Sequence, residues 1–93
     1  MRVTILGKRW NFRRVNKLGP KTYGECDPPD KFKKELRVLR GLYGQAEMET
    51  ILHEMLHAAD WTKDEAWIDE VASDIAKFLY KRLGYRIVRT TRK

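Results

Sequence analysis

The chain has 93 residues, of which 42% are hydrophobic and 35% charged; this length allows one hydrophobic core, since two would each approach the ~40-residue limit of unaided folding. Its mean hydropathy is -0.66, and without an apolar run of ~18 residues or a signal-peptide pattern we expect a cytoplasmic protein with no membrane partner. The single Cys26 excludes an internal disulfide, so a core, with or without a metal ion, must hold the fold together.

The net charge of +7 is distributed unevenly along the chain. Residues 1–40 contain 12 basic and 4 acidic side chains, residues 41–80 contain 2 and 9, and residues 81–93 contain 6 and 0. This separation predicts an anionic partner, such as nucleic acid or an acidic protein, bound through the basic sheet region and the C-terminal tail. Solvated lysines and arginines on strand faces would give the same counts.

The N-terminal half has the composition of a small sheet. Arg2–Leu6 and Trp10–Val15 are rich in β-branched, aromatic and basic residues, and Gly7–Arg9 between them indicates a hairpin turn. Lys21–Cys26 predicts a third, short strand that ends before two consecutive prolines. Glu35–Arg40 predicts a fourth strand, because its apolar residues alternate with charged ones.

From Gln45 the hydrophobic period lengthens to three or four residues, which indicates an amphipathic helix. Its apolar positions are Met48, Ile51, Leu52, Met55, Leu56 and Ala59. Thr62 and Glu65 form a capping box that predicts the start of a second helix, which ends at Gly84. The apolar stripe of that helix consists of Ile68, Val71, Ala72, Ile75, Leu79 and Leu83. Tyr85–Arg89 predicts a last strand or an extended tail.

These elements predict an α+β fold, in which a small antiparallel sheet of three to four strands is followed by a helical hairpin. We expect one domain over residues 1–93, divided into a sheet region (1–44), the helical hairpin (45–84) and a basic tail (85–93). The three tryptophans, Trp10, Trp61 and Trp67, are expected to pack in the core and the hairpin.

The first helix carries the motif His53-Glu54-Met55-Leu56-His57, which is HExxH. Residues four apart lie on one face of a helix, so both imidazoles can bind one Zn²⁺ while Glu54 points near its open coordination position. Zinc would acidify a water molecule and polarise a peptide carbonyl, and Glu54 would act as the general base. The motif therefore predicts metal-assisted hydrolysis.

With this motif on a helix that follows a sheet, the sequence resembles the zincin metallopeptidases. The metzincin branch is excluded, because Asp60 and Lys63 occupy the positions of its Gly and third His. The resemblance to the gluzincin branch implies one Zn²⁺ per chain and a glutamate ligand on the following helix. In that branch the glutamate commonly lies in the pattern Glu-x-x-x-Asp. The aspartate of this pattern contacts a ligand histidine on the side away from the metal and orients it.

Two pairs in this sequence match that pattern, Glu65 with Asp69 and Glu70 with Asp74. If the hairpin turns at Trp61, antiparallel packing places residue 65 opposite 57 and residue 69 opposite 53. Glu65 would then be the third ligand, and Asp69 would orient His53 without binding the metal itself. The pair also resembles the second-helix pattern of ImmA/IrrE-type peptidases.

Two other residues stay open as the third ligand. Glu70 lies outside the apolar stripe of the second helix, yet the segment Asp69–Asp74 resembles the thermolysin-type motif. Asp60 shares the face of the histidines, but it lies seven residues beyond His53, or ~10.5 Å along a helix.

The resemblance also implies features of a substrate cleft. In zincins the strand before the active-site helix lines the cleft as an exposed edge, which here would be Leu36–Arg40. Many gluzincins have a side chain that stabilises the oxyanion, and Tyr43, Tyr80 and Tyr85 are the candidates in this chain.

We therefore expect a hydrolase, a zinc metalloprotease that acts on peptide or protein substrates. One alternative is a non-catalytic protein in which zinc only pins the two helices together. A second alternative is a basic nucleic-acid-binding module with a vestigial HExxH.

Overall fold

The computed structural model describes residues 1–89 and contains a four-stranded sheet followed by two helices. The predicted α+β class and the order of sheet and helical hairpin are confirmed. The elements are β1 (Arg2–Ile5), β2 (Lys8–Val15), β3 (Gly24–Cys26), β4 (Glu35–Leu39), α1 (Gly44–Ala59), α2 (Glu65–Lys77) and a π-helical turn (Phe78–Arg82).

The first two strands form the predicted hairpin, but its turn is tighter than expected. Leu6 and Gly7 both have positive φ, 50° and 79°, and this two-residue turn matches the right-handed twist of the flanking strands. Strand β2 therefore begins at Lys8 and pairs with β1 in antiparallel fashion.

The sheet is mixed, which corrects the expectation of a purely antiparallel one. Its strand order is β1-β2-β4-β3, with β2 and β4 parallel and β3 antiparallel to β4. The chain leaves β2, forms β3 at the far edge and turns back to insert β4 between them. The expectation that Leu36–Arg40 forms an exposed edge is therefore wrong, because β4 is central, and β3 is the edge strand instead.

Helix α1 lies between the sheet and α2, so the molecule has three layers. Ala58 of α1 packs with Trp10 and Leu36 in a buried cluster, and the indole Nε1–H of Trp10 donates to the carbonyl oxygen of Asp27 (3.1 Å). Among the described elements, α2 contacts only α1 and the π-helical turn. Its fully buried residues are Ile68, Ala72 and Ala76.

Two expectations about the helical hairpin are corrected. The start of α2 is capped by Asp64, whose carboxylate accepts from the backbone N–H of Trp67 (2.8 Å), and not by Thr62. The hydroxyl of Thr62 donates instead to Asp60 (2.6 Å). Trp61 and Trp67 are 45% and 43% exposed, so of the three tryptophans only Trp10 is a core residue.

The C-terminal segment has no strand within residues 85–89; residues 90–93 of the predicted basic tail lie outside the described part. The guanidinium of Arg86 lies 3.8 Å over the ring of Tyr80, and Arg89 pairs with Glu47, a buried residue of α1 that also binds Arg14 of β2 (2.9 Å). No helix within residues 1–89 combines the length and apolar character needed to cross a bilayer.

An ion-pair network at the end of β3 joins the last two strands. The guanidinium of Arg37 donates to both carboxylate oxygens of Asp27 (2.7 and 3.2 Å) and to Glu25 and Glu35. Asp27 also accepts from the backbone N–H of Glu35 (2.8 Å). Hydrogen bonds from Arg37 hold the pKa of Asp27 at about 2.

This lowered pKa predicts an acid-sensitive contribution of Asp27 to stability. The folded state binds the carboxylate's proton less readily than the unfolded state, so the contribution is complete above the ordinary pKa and is lost as pH falls toward 2. Between about pH 5 and about pH 2, the free energy of unfolding should fall by about 2 kcal/mol more in the wild type than in Asp27→Asn. Denaturant unfolding across this range tests it, with exposed Asp30→Asn as the control; parallel curves for wild type and Asp27→Asn would contradict it.

Candidate metal centre

The two histidines of HExxH project from α1 toward the first turn of α2. His53 and His57 lie one helical turn apart, and their Nε2 atoms are 3.1 Å from each other. Their side chains are 16% and 18% exposed. The imidazoles are thus partly shielded while their Nε2 atoms converge on one point.

Glu65 completes this arrangement from the start of α2. One carboxylate oxygen lies 2.8 Å from Nε2 of His53 and the other lies 3.0 Å from Nε2 of His57. The three side chains offer ligand atoms that all lie within 4.8 Å of one another. The structure therefore brings together the three residues that the sequence predicted to meet.

Asp69 lies behind His53, one turn further along α2. Its Oδ1 is 2.9 Å from Nδ1 of His53, and because a carboxylate only accepts, Nδ1 carries the hydrogen. In a neutral imidazole the other nitrogen, Nε2, then has a free lone pair, and this nitrogen lies next to His57 and Glu65.

The donor set fits a divalent metal ion. With the hydrogen of His53 on Nδ1, its Nε2 and the nearest oxygen of Glu65 are two acceptors 2.8 Å apart, and a metal ion or a proton shared between them would remove their repulsion. Two imidazole nitrogens and one carboxylate are a set that Zn²⁺ accepts, and three protein ligands leave one coordination position open. His53, His57 and Glu65 could hold such an ion.

The structure does not bring the other two candidate ligands into this group. Glu70 and Asp74 are exposed on α2, outside the described set of convergent ligand atoms. Asp60 lies at the end of α1, where its carboxylate accepts from the backbone N–H and hydroxyl of Thr62 (3.1 and 2.6 Å).

Glu54 lies beside the histidines but points toward the sheet. It is 6% exposed, and an added Cβ at Gly24 would lie 2.9 Å from its Cγ and Oε2. Glycine at this position of β3 therefore allows the strand to pass directly over the carboxylate. Burial raises the pKa of Glu54 to about 7, with smaller contributions from the charges around it. Such a carboxylate exchanges protons readily near neutral pH.

Two cavities meet at Glu54, His53 and Gly24. One, of about 350 Å³, extends past Tyr23 and Asp69. The other, of about 520 Å³, is also lined by His57, Glu65, Cys26, Arg37, Trp61 and Lys63. The two cavities thus adjoin along β3, and His53 and Glu54 line both of them.

Sequence reasoning missed Tyr23 and Gly24, because the position of β3 depends on strand pairing that no local pattern reveals. The tyrosines considered as oxyanion stabilisers, Tyr43, Tyr80 and Tyr85, line neither of these two cavities.

Cys26 lies at the wall of the larger cavity, but its sulfur is a hydrogen-bond donor. The thiol donates to the carbonyl oxygen of Asp27 (3.3 Å). Burial, followed by the charges of Glu54 and Asp27, raises its pKa to about 12. It is therefore a neutral thiol, and it does not belong to the described group of convergent ligand atoms.

Comparison with protein-family models finds none that matches the chain, and comparisons with curated proteins and with solved structures find no significant match. The zincin resemblance therefore stays a prediction from the motif.

The geometry predicts which residues retain zinc. Protein purified without chelator should contain about one zinc per chain, and His53→Ala and Glu65→Ala should each lose it because two remaining ligands bind weakly. Glu70→Ala should keep it. Mass spectrometry of metal content measures this; zinc retained by Glu65→Ala would disprove the assigned third ligand.

The contact between Asp69 and His53 predicts a weaker effect. Asp69→Asn removes the charge that orients and polarises the imidazole, so zinc affinity should fall about 10- to 100-fold without loss of stoichiometry. Competition with a zinc-binding indicator gives the affinity. Asp74→Asn, on the outer side of α2, is the matched control, and equal affinities for the two variants would exclude this role for Asp69.

Proposed function

We propose that this chain is a zinc-dependent peptidase of the gluzincin type, which hydrolyses peptide bonds with Glu54 as general base. The observation that carries the proposal is the position of Glu54, a buried carboxylate at the junction of two cavities, next to a His/His/Glu group. Its side chain lines both cavities, where a substrate would lie.

In this mechanism His53, His57 and Glu65 hold Zn²⁺, which when bound supplies Lewis acidity toward a water molecule and a carbonyl oxygen. Glu54 takes the proton of the attacking water on its carboxylate and gives it to the nitrogen of the leaving amine. Asp69 keeps the hydrogen of His53 on Nδ1, which leaves Nε2 free to act as a ligand.

The edge strand β3 supports a peptide as the substrate. Within the described residues β3 is paired only with β4, so its outer backbone groups are available to an extended chain. Gly24 places that edge directly over Glu54, and residues of β3 line both cavities. An added peptide strand would cross the metal group with its backbone carbonyls close to Glu54.

The alternative of a purely structural zinc accounts less well for these features. A structural site needs four closed ligands, whereas the convergent group has three and opens into two cavities. It also gives no reason for a buried, titratable Glu54.

An anionic partner stays part of the proposal, on a different surface. Arg2, Arg9, Lys33 and Lys34 line a depression of about 390 Å³, and the carboxylate that also lines it, Glu35, is paired with arginines. Uncompensated positive charge of this kind attracts phosphates or carboxylates. The cytoplasmic location is likewise a prediction from the sequence.

The Glu54→Gln substitution tests the enzyme proposal. Turnover of a fluorogenic peptide library should fall about 10²- to 10⁴-fold, because glutamine cannot accept the proton of water, while zinc content and thermal stability stay close to the wild type. Asp30→Asn, an exposed residue far from the group in sequence, is the control. A zinc-loaded wild type that cleaves no peptide and unfolds on chelation would instead establish the structural alternative.

A further inference from the structure

The outer side of α2, continued by the π-helical turn, presents a partly exposed apolar strip. Trp67, Ile75 and Phe78 are 43%, 37% and 54% exposed, and Val71 between them is half-buried. At 100° per residue these four positions span about 80° of the helix surface. Among the described elements α2 contacts only α1 and the π-helical turn, and the turn contacts only α1 and α2, so no sheet strand covers this strip; the ammonium of Lys63 lies 4.9 Å over the ring of Trp67. Contiguous exposed apolar surface of this kind marks an interaction site.

A row of charges runs along one flank of the strip and changes sign midway. Glu70 and Asp74 come first, and Lys77 and Lys81 follow. All four are exposed, and none forms an ion pair within residues 1–89. The two acids come before the two lysines in the sequence. When a second copy of the helix runs in the opposite direction beside the first, the acids of each copy therefore lie next to the lysines of the other.

We propose that the outer face of α2 binds a second copy of this chain in an antiparallel, two-fold symmetric dimer. A two-fold axis perpendicular to antiparallel helices brings the same flank of both helices together. With the axis near Ile75, Glu70 and Asp74 of one copy lie beside Lys81 and Lys77 of the other. The two Ile75 side chains meet at the axis.

The charge of this region favours a second copy over an oppositely charged partner. Residues 65–82 contain four acidic and three basic side chains, so this segment has a net charge of -1, whereas the whole chain has a net charge of +7. Two copies that meet through α2 keep their basic sheet regions apart. A strongly acidic or basic partner would leave half of the flank charges opposed by like charge.

The proposed dimer neither covers the candidate metal site nor adds a ligand to it. Glu65 and Asp69 point from α2 toward the histidines of α1, on the side away from Trp67 and Phe78. The proposal is therefore independent of metal binding and of peptidase activity, and each of these three properties can fail separately.

Sedimentation of the full chain from low micromolar to submillimolar concentration tests the proposal. The wild type should approach twice the chain mass of 11.1 kDa. Ile75→Asp should raise the dissociation constant at least about tenfold, because it buries two like charges at the axis. Far-ultraviolet circular dichroism checks that this partly exposed site tolerates the change. A wild type that is monomeric throughout, or an Ile75→Asp variant with unchanged association, would overturn the proposal.

A charge-exchange experiment identifies the flank and the antiparallel orientation. The double variant Glu70→Lys, Asp74→Lys and the double variant Lys77→Glu, Lys81→Glu should each self-associate at least about tenfold more weakly than the wild type. Their equimolar mixture should form heterodimers with affinity near that of the wild type, which native mass spectrometry detects from the two different masses. Undiminished homodimers of either variant, or a mixture no tighter than its components, would place the interface elsewhere and overturn the proposal.

Discussion

The close contact between α1 and α2 is the constraint on which the candidate metal site, formed by His53, His57 and Glu65, depends. Two histidines on one helix cannot complete a ligand set alone, and Glu65 reaches both of them only because α2 packs tightly against α1. The buried residues of α2 include Ala72 and Ala76, both without measurable exposure, and small residues at a helix interface permit short interaxial distances. The short connection between the helices, in which Asp60 accepts hydrogen bonds from Thr62, then fixes which residues of the two helices face each other. The buried contact between the two helices and the candidate metal site thus share one interface.

Much of this part of the molecule could be predicted from the sequence because its determinants are local. Helical periodicity and the four-residue spacing of His53 and His57 follow from the geometry of a single helix. A short connection forces the helices to be antiparallel, which was sufficient to favour Glu65 over Glu70 and to place Asp69 behind His53. The hydrogen-bond distances and the two cavities could not be obtained this way.

The sheet side of the site could not be predicted, because it depends on contacts between residues distant in sequence. Nothing in the local pattern indicates that β4 inserts between β2 and β3, or that β3 becomes the edge over the site. The most buried residues of α1 include Glu47 and Glu54, which a hydrophobic pattern assigns to solvent. Glu47 is compensated by Arg14 and Arg89, whereas Glu54 is accommodated by the missing side chain of Gly24.

A three-layer stack also explains why the apolar stripe predicted for α2 is wider than α1 can cover. Ile68 and Ala72 are buried, but Ile75, assigned to the same stripe by periodicity, is 37% exposed. A helix at the outside of such a stack has one partner within the chain, and apolar residues beyond that contact lower the free energy only by association. We therefore assign the apolar residues of α2 that α1 does not cover to the proposed association surface. Since Glu65 and Asp69 contact the histidine His53 of α1, the candidate metal site and the proposed association surface lie on different sides of α2.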